Sequence, residues 1–341
     1  MLALPTTTDV AIVGGGFAGV ATAWALARRG VAAVVLEREA APGRFASGRS
    51  AGLGRQLAED DATSALTISG AGLLRGQFAA VWQPCGGILS FDRHAAAEAY
   101  EARAARFGVA VERVDRAGVV ARWPGVAGLP IAAALYVPSD GVIDVGALLA
   151  LFARDIAIVC DAKVAGVEPT ARGARLATAR GAIEARVVVD AAGAWAGELT
   201  GDPPLESFKR HVYVLEAAGA GAPFLWHLGD DELYVRGDAG GLLVSPCDAA
   251  ATAPADQQPD ATGEAMLRAR LAATSSAAWG DAPIARRWAC QRAFTPDRTM
   301  RLGRDPARRW LVWAAGLGGH GATASAAVGE AVAGACIAAL G

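Results

Sequence analysis

Two runs of the sequence, at opposite ends of the chain, predict an α/β protein built on a Rossmann-like parallel sheet. Asp9 to Val13 is β-branched and leads straight into Gly14-Gly15-Gly16-Phe17-Ala18-Gly19. Trp310 to Ala315 is equally apolar and leads into Gly316 to Gly321. A short, continuous apolar run closed by a glycine turn reads as a parallel strand buried on both faces. The 341 residues are 53% hydrophobic. That supports a packed core, and at about 150 residues per domain it suggests two domains.

The elements follow in order. After the first glycine turn, Val20 to Arg29 is rich in alanine and predicts a helix that ends before Gly30. Val31 to Leu36 predicts a second strand, closed by Glu37. Strand, GxGxxG, helix, strand and acidic residue together read as a dinucleotide site. Gly14 permits the tight turn, Gly16 the approach of a pyrophosphate, and Gly19 close packing of helix on strand. The helix N-terminus at Phe17 and Ala18 offers amides to phosphate. Glu37 accepts from ribose hydroxyls. Asp144 before Val145 to Phe152 reads as a helix cap. Val187 to Asp190 is a strand followed by the small-residue turn Ala191 to Trp195, and Ala322 to Leu340 is a helix. A second glycine loop opening a helix suits a cofactor with two polar ends, FAD, since positive helix-terminal charge stabilises the reduced flavin.

A formal net charge of -2 gives no reason for a nucleic-acid partner or an anionic membrane surface. Only Lys163 and Lys209 are lysines. Cys85, Cys160, Cys247, Cys290 and Cys336 form no CxxC pair, so neither a metal site nor a disulfide framework is expected. The N-terminus carries no leader pattern, and no uninterrupted apolar run reaches the ~18 residues of a span. Ala326 to Leu340, broken by Glu330, reads as a buried helix. The expectation is a cytoplasmic globular protein with no integral membrane segment.

Six segments, VAIVGGGFAGVATAWALARRG, VVLEREAAPGRFASGRSAG, VVVDAAGAWAGEL, ELYVRGDAGGLLVSP, WACQRAFTPDR and AAGLGGHGATASAAVGEAVAGA, run through the whole chain. In this order the sequence resembles the D-amino-acid oxidase-like flavoenzymes: glycine oxidase, sarcosine oxidase and the D-amino-acid dehydrogenases. LEREAAPGRFASGRSA and LYVRGDAGGLLVSP are most similar to the D-arginine dehydrogenase branch. The resemblance implies that Arg38, Ser47, Gly48, Arg49, Ser50 and Ala51 line FAD. Val164, Ala192, Gly193 and Trp195 join them, with Gly318, Gly319, His320, Gly321, Ala322 and Thr323 at the flavin. It implies that Arg292 holds the substrate carboxylate with Tyr234, and that His320 faces substrate or flavin. Arg210 and His211 are weaker candidates. Cys290 stands where sarcosine oxidase bonds its flavin, so the resemblance sets covalent FAD through Cys290 against a packing role for it; the other four cysteines read as packing residues.

Departures narrow the substrate. Polar residues of the D-arginine branch fall on Leu53, Ala58 and near Gly86, which implies an apolar or bulky side chain. The sarcosine-oxidase lysine is replaced by Thr323. The resemblance further implies a discontinuous FAD-binding domain, 1–75, 139–203 and 300–341. The substrate domain is 76–138 and 204–299, an interleaved α+β unit on a mixed antiparallel sheet. Gly87 to Phe91, Leu135 to Val137, His211 to Glu216, Glu232 to Arg236 and Leu242 to Ser245 are its expected strands. Ala249 to Thr262 is an expected loop and Gly263 to Ala273 a helix. The implied reaction is hydride transfer from Cα of a small-molecule amine to flavin N5, and the imino acid hydrolyses to a 2-oxo acid and ammonia. Oxygen, a quinone or another acceptor reoxidises the flavin. The alternative substrates are a secondary amine, an N-methyl amino acid, glycine or a 2-hydroxy acid.

Overall fold

The computed structural model describes residues 2–203, 205–218, 223–274 and 276–341. Its first sheet has a parallel centre. Thr7–Val13 lies between Gly181–Asp190 and Ala33–Leu36, and Ala157–Val159 pairs beyond Ala33–Leu36. Leu311–Ala315 adds to the last three residues of Gly181–Asp190, also in parallel. The register sets Val13 beside both Asp190 and Leu36. Three carboxyl ends therefore finish level, and the chain leaves each one at the same edge. Val10, Ala11 and Ile12 are fully buried, which is why these strands read as continuous apolar runs. The first half of Gly181–Asp190 instead carries the antiparallel strands Val164–Thr170 and Gly173–Thr178.

Phe17–Ala27 and Gly321–Leu340 pack against each other on this sheet. Small residues allow the approach: a Cβ on Gly329 would strike the Ala21 carbonyl. Among the described residues, Gly321–Leu340 is the one helix long and apolar enough to cross a membrane. Its most apolar window is 56% buried within the protein, however, and Glu330 pairs with Arg28 at 3.4 Å and with Arg29. It is a core helix with one polar tether, as its interrupted pattern suggests.

The second sheet is mixed. Phe224–Leu228 and Gly87–Phe91 are parallel, and every other pairing is antiparallel. Its pivot, Glu206–Leu215, pairs along its whole length with Ile284–Phe294 on one side. On the other side it meets Gly241–Ser245 and Ala250–Ala251. Leu233–Asp238, Phe224–Leu228, Gly87–Phe91, Ala133–Val137 and Glu112–Val114 complete it. Alternation gives the sheet two roles. Tyr213, Leu215, Leu233, Val235 and Val244 bury one face against Trp123, Trp279 and the helix Ala261–Ala273. Val212, Trp226 and Tyr234 belong to the other face. A small sheet, Leu53–Gly54, Gly141–Ile143 and Trp82–Pro84, lies beside both.

Helix entries are capped by aspartates. Asp60, Asp144 and Asp260 accept from the amides of Thr63, Ala147 and Gly263. Several strands lie outside the sequence expectation, two of them beside the cavity. Phe224–Leu228 was not anticipated, although its five residues are a short, mostly apolar run like the strands that were. Ile284–Phe294 is a full strand in which charged residues occupy the exposed first half. The expected loop Ala249 to Thr262 also contains the short strand Ala250–Ala251.

Candidate active site

A cavity runs from the first glycine turn to the second, across the carboxyl edge of the parallel sheet and beneath the second sheet. At its first end lie Gly14, Gly15, Gly16, Phe17 and Ala18. Helix Phe17–Ala27 begins at Gly16 with no side-chain cap of its own. Ser47 reaches in from the following loop, its Oγ accepting from the Phe17 amide at 2.9 Å. Gly19 does not line the cavity; a Cβ there would strike the Gly14 carbonyl, so its part is to bring helix onto strand. Glu37 is 7% exposed, and its two oxygens accept from the amides of Gly15 at 2.6 Å and Glu39 at 2.9 Å. Those bonds hold a carboxylate at the cavity wall with lone pairs to spare for hydroxyl donors. The Arg38 guanidinium lies 3.8 Å from the Trp195 ring centroid and 4.4 Å from that of Phe45. Val164, Ala192, Gly193, Trp195, Ser50 and Ala51 form further wall.

At the other end, Gly316, Leu317, Gly318, Gly319, Gly321 and Ala322 form a loop and helix entry facing Arg210, Val212, Trp226, Tyr234, Cys290 and Arg292. The sheet register explains that second group. Arg210 pairs with Cys290 and Phe208 with Arg292, so Arg210, Val212, Cys290 and Arg292 share one face. Trp226 opposite Tyr234 continues it, the two rings 5.1 Å apart. Gly319 lies so close to Arg292 that a Cβ there would be 2.8 Å from its Nε. Among the described residues neither Arg292 nor Arg210 has a carboxylate within ion-pair distance. Burial and the neighbouring Arg210 guanidinium push the Arg292 pKa down from its ordinary value. Burial pushes the Tyr234 hydroxyl and the Cys290 thiol up, with both arginines opposing. The arrangement is a neutral phenol and thiol beside two cations that form no ion pair; the Glu232 and Asp248 charges act on Arg210 from further off and hold its pKa up against burial, and the pair suits an anion.

Several other expected residues lie off the cavity or spend their side chains elsewhere. His320 does not line the cavity; its Nε2 sits 3.0 Å from Glu59 Oε2 and 3.4 Å from the buried Arg55, so its ring is turned into that cluster. Thr323 is likewise absent from the wall, its hydroxyl donating to the Leu53 carbonyl at 3.2 Å. Gly48 turns inside its own loop, its amide donating to Gly43. Arg49 lines the cavity, but its guanidinium is taken by the carbonyls of Gln257 and Ala289 and the carboxylate of Asp256. Ala58 is fully buried and Gly86 packs on Tyr136, so of the three departures only Leu53 reaches the cavity. His211 lies on the opposite strand face from Arg210 and is not a wall residue. Trp226, Val212, Phe45 and Gln291 line the cavity and were not anticipated. Trp226 is hidden in the strand that the sequence does not reveal; Val212 was legible, as the second residue after Arg210 on one strand.

The family described as DAO, FAD dependent oxidoreductase, matches residues 9–335. Among solved structures, glycine oxidase from Geobacillus kaustophilus is 25% identical with a TM-score of 0.83, over 98% of this chain and 95% of that one. L-proline dehydrogenase from P. horikoshii is 21% identical with a TM-score of 0.85, over 97% and 93%. L-amino acid deaminase from Proteus vulgaris is 18% identical with a TM-score of 0.84, over 99% and 95%. The last two likenesses concern the fold alone.

Proposed function

The chain belongs to the DAO family of FAD-dependent oxidoreductases, which act on CH–NH donors, and from that premise we propose that it oxidises an amino acid whose carboxylate is held by Arg292 and Arg210. The observation that carries this reading is the pair of guanidiniums facing the cavity without carboxylate partners. A planar guanidinium meets a carboxylate through two parallel hydrogen bonds, and Tyr234 adds a hydroxyl donor. Leu53, Val212 and Trp226 are the apolar surface left for the side chain, which favours an apolar or bulky one. The D configuration rests on the resemblance of LEREAAPGRFASGRSA and LYVRGDAGGLLVSP to the D-arginine branch.

The cavity fits FAD: glycine turns bound both polar ends, Glu37 is held at the ribose position, and Arg38, Trp195 and Phe45 stack at the wall. Bound there, FAD supplies the acceptor for a hydride from Cα. Gly14, Gly16, Phe17, Ala18, Glu37 and Ser47 would hold its dinucleotide half, and Gly318, Gly319, Gly321 and Ala322 its flavin half. The protein fixes the carboxylate so that Cα is presented in one orientation, and the entry of helix Gly321–Leu340 favours negative charge. No side chain needs to serve as a base if the amine arrives neutral. We read FAD as held without a covalent bond: Cys290 lines the cavity, but burial pushes its thiol up against the opposing arginines, away from the thiolate that would be the nucleophile. Acid precipitation then leaves the yellow colour in the supernatant; a yellow pellet overturns this.

Anaerobic mixing with a panel of D- and L-amino acids tests the function. Bleaching of the flavin band near ~450 nm by D-amino acids with apolar side chains supports it. Two guanidiniums also suit a secondary amine with two carboxylates, and a structure of iminodiacetate oxidase shares the fold. The panel therefore includes iminodiacetate, N-methyl amino acids, glycine and 2-hydroxy acids. No bleaching by any of them overturns the reading.

A further inference from the structure

Arg210 is 5% exposed, donates from Nε to the main-chain carbonyl of Asp248 at 2.7 Å, and leaves its Nη1 without a partner. The carboxylate of the same aspartate does not pair with it. It turns instead to His211, one oxygen accepting from the His211 amide at 2.8 Å and the other meeting the ring Nδ1 at 2.7 Å. His211 is gripped from every side. Its Nε2 accepts from the Asp260 amide at 3.2 Å, and its ring stacks on Tyr213 at 13°. A Cβ on Gly263 would strike the ring, so the helix entry rests directly on it. Both ring nitrogens are thereby engaged, Nδ1 with the Asp248 carboxylate and Nε2 with the Asp260 amide. The Asp260 carboxylate, 3.6 Å from Nε2, is occupied by Lys209 and the Gly263 amide.

The strap that carries Asp248 is held just as firmly. Ser245 Oγ donates to the His211 carbonyl at 2.6 Å and accepts from the Cys247 amide at 3.2 Å. Cys247 adopts φ 53°, a left-handed conformation that costs a non-glycine residue energy and persists only where the surroundings impose it. The result is a divided residue: the Asp248 carbonyl faces Arg210 while its side chain faces His211.

We propose that His211 and Asp248 are positioning residues for the substrate carboxylate: His211 holds the Asp248 carboxylate away from Arg210, so that a neutral carbonyl braces the guanidinium and its charge stays free for the substrate. This rests on the reading of Arg210 and Arg292 as the carboxylate clamp. A carboxylate released beside a buried guanidinium would form an internal ion pair, and an incoming carboxylate would have to displace it. Against burial, which would raise it, the His211 bonds, with a smaller contribution from the Arg210 charge, keep the Asp248 carboxyl below its ordinary range, so the charge to be held out of an ion pair is present at neutral pH.

The test uses the oxidised holoenzyme titrated with benzoate, a simple carboxylate, followed by the flavin spectrum, together with kcat and KM for the best amino acid of the panel. H211L raises the benzoate Kd and KM by about tenfold or more while kcat changes little, as expected when one charge pair is lost from a binding site. H211L/D248N restores both constants toward wild type, because the competing charge is gone. H211N keeps an amide donor at the Nδ1 position and stays near wild type. A merely structural role for His211 predicts the opposite for the double variant, a further loss. If H211L does not accumulate with FAD bound, H211Q, which cannot place its amide at the Nδ1 position, carries the same expectation. An unchanged benzoate Kd in H211L, or a double variant as weak as H211L, overturns the proposal. A wild-type enzyme that binds benzoate too weakly to measure and bleaches with no amino acid overturns the clamp reading itself.

Discussion

Arg292 and Tyr234 show what one side chain can be asked to do. Among the described residues Arg292 has no carboxylate within ion-pair distance, so its guanidinium is available to an anion. Arg292→Ala is expected to lower kcat/KM by about a hundredfold, ~3 kcal/mol, mostly through KM. Arg292→Lys recovers little, because a point charge does not replace the two-pronged contact. Tyr234→Phe removes one hydrogen bond to a charged group, ~1.5–3 kcal/mol, and raises KM by roughly tenfold or more. Steady-state kinetics on the best substrate checks all three, and a change confined to kcat would contradict the carboxylate assignment. His320 teaches the reverse. It stands in a glycine loop where a catalytic role is easy to imagine, yet Glu59 and Arg55 hold its ring and burial lowers its pKa.

At the scale of the element, the first helix shows sequence acting through a missing side chain. Gly19→Ala places a methyl group into the Gly14 carbonyl and must push helix Phe17–Ala27 off its strand. The purified variant is expected to carry little or no FAD, read as the ratio of flavin to protein absorbance. A different outcome is expected where only a cap is lost. Asp144→Ala removes the acceptor for the Ala147 amide at 2.9 Å, costing about 1 kcal/mol and lowering Tm with substrate kinetics unchanged. These elements were readable because their signals are local: β-branched runs, glycines at fixed offsets, an aspartate before an apolar stretch. What no local signal in Phe224–Leu228 could show is its partner, Gly87–Phe91, a neighbour more than a hundred residues away in the chain.

The whole molecule is joined at Asp140. This buried aspartate accepts from the Gln56 amide at 3.1 Å and from its side chain at 2.9 Å, which binds the segment after Leu53 to the turn before Gly141. Its second oxygen is buried without a partner. Burial pushes its pKa from 3.8 up to about 7, the Gln56 bonds opposing. The folded chain therefore keeps a proton that the unfolded chain has released, so this group's contribution to stability falls as pH rises from about 4 to about 7, then levels off. Asp140→Asn should flatten that decline in chemical denaturation measured across the range; an unaltered pH profile would remove Asp140 as its source.

The sequence by itself determined the dinucleotide turn, the second glycine loop and helix, the two-part α/β character and the family. Each depends on residues adjacent in the chain, or on the order of such segments. Only the tertiary structure decided which side chains share a cavity. Arg210 meets Arg292 through the register of two strands some 80 residues apart in sequence. Arg49 kept its place on the cavity wall but gave its guanidinium to Asp256 and its neighbours, and His320 turned away to Glu59. A charged side chain goes to whatever compensates it best in the folded protein. Strand register and the nearest opposite charge are properties of packing, and no local spacing encodes them.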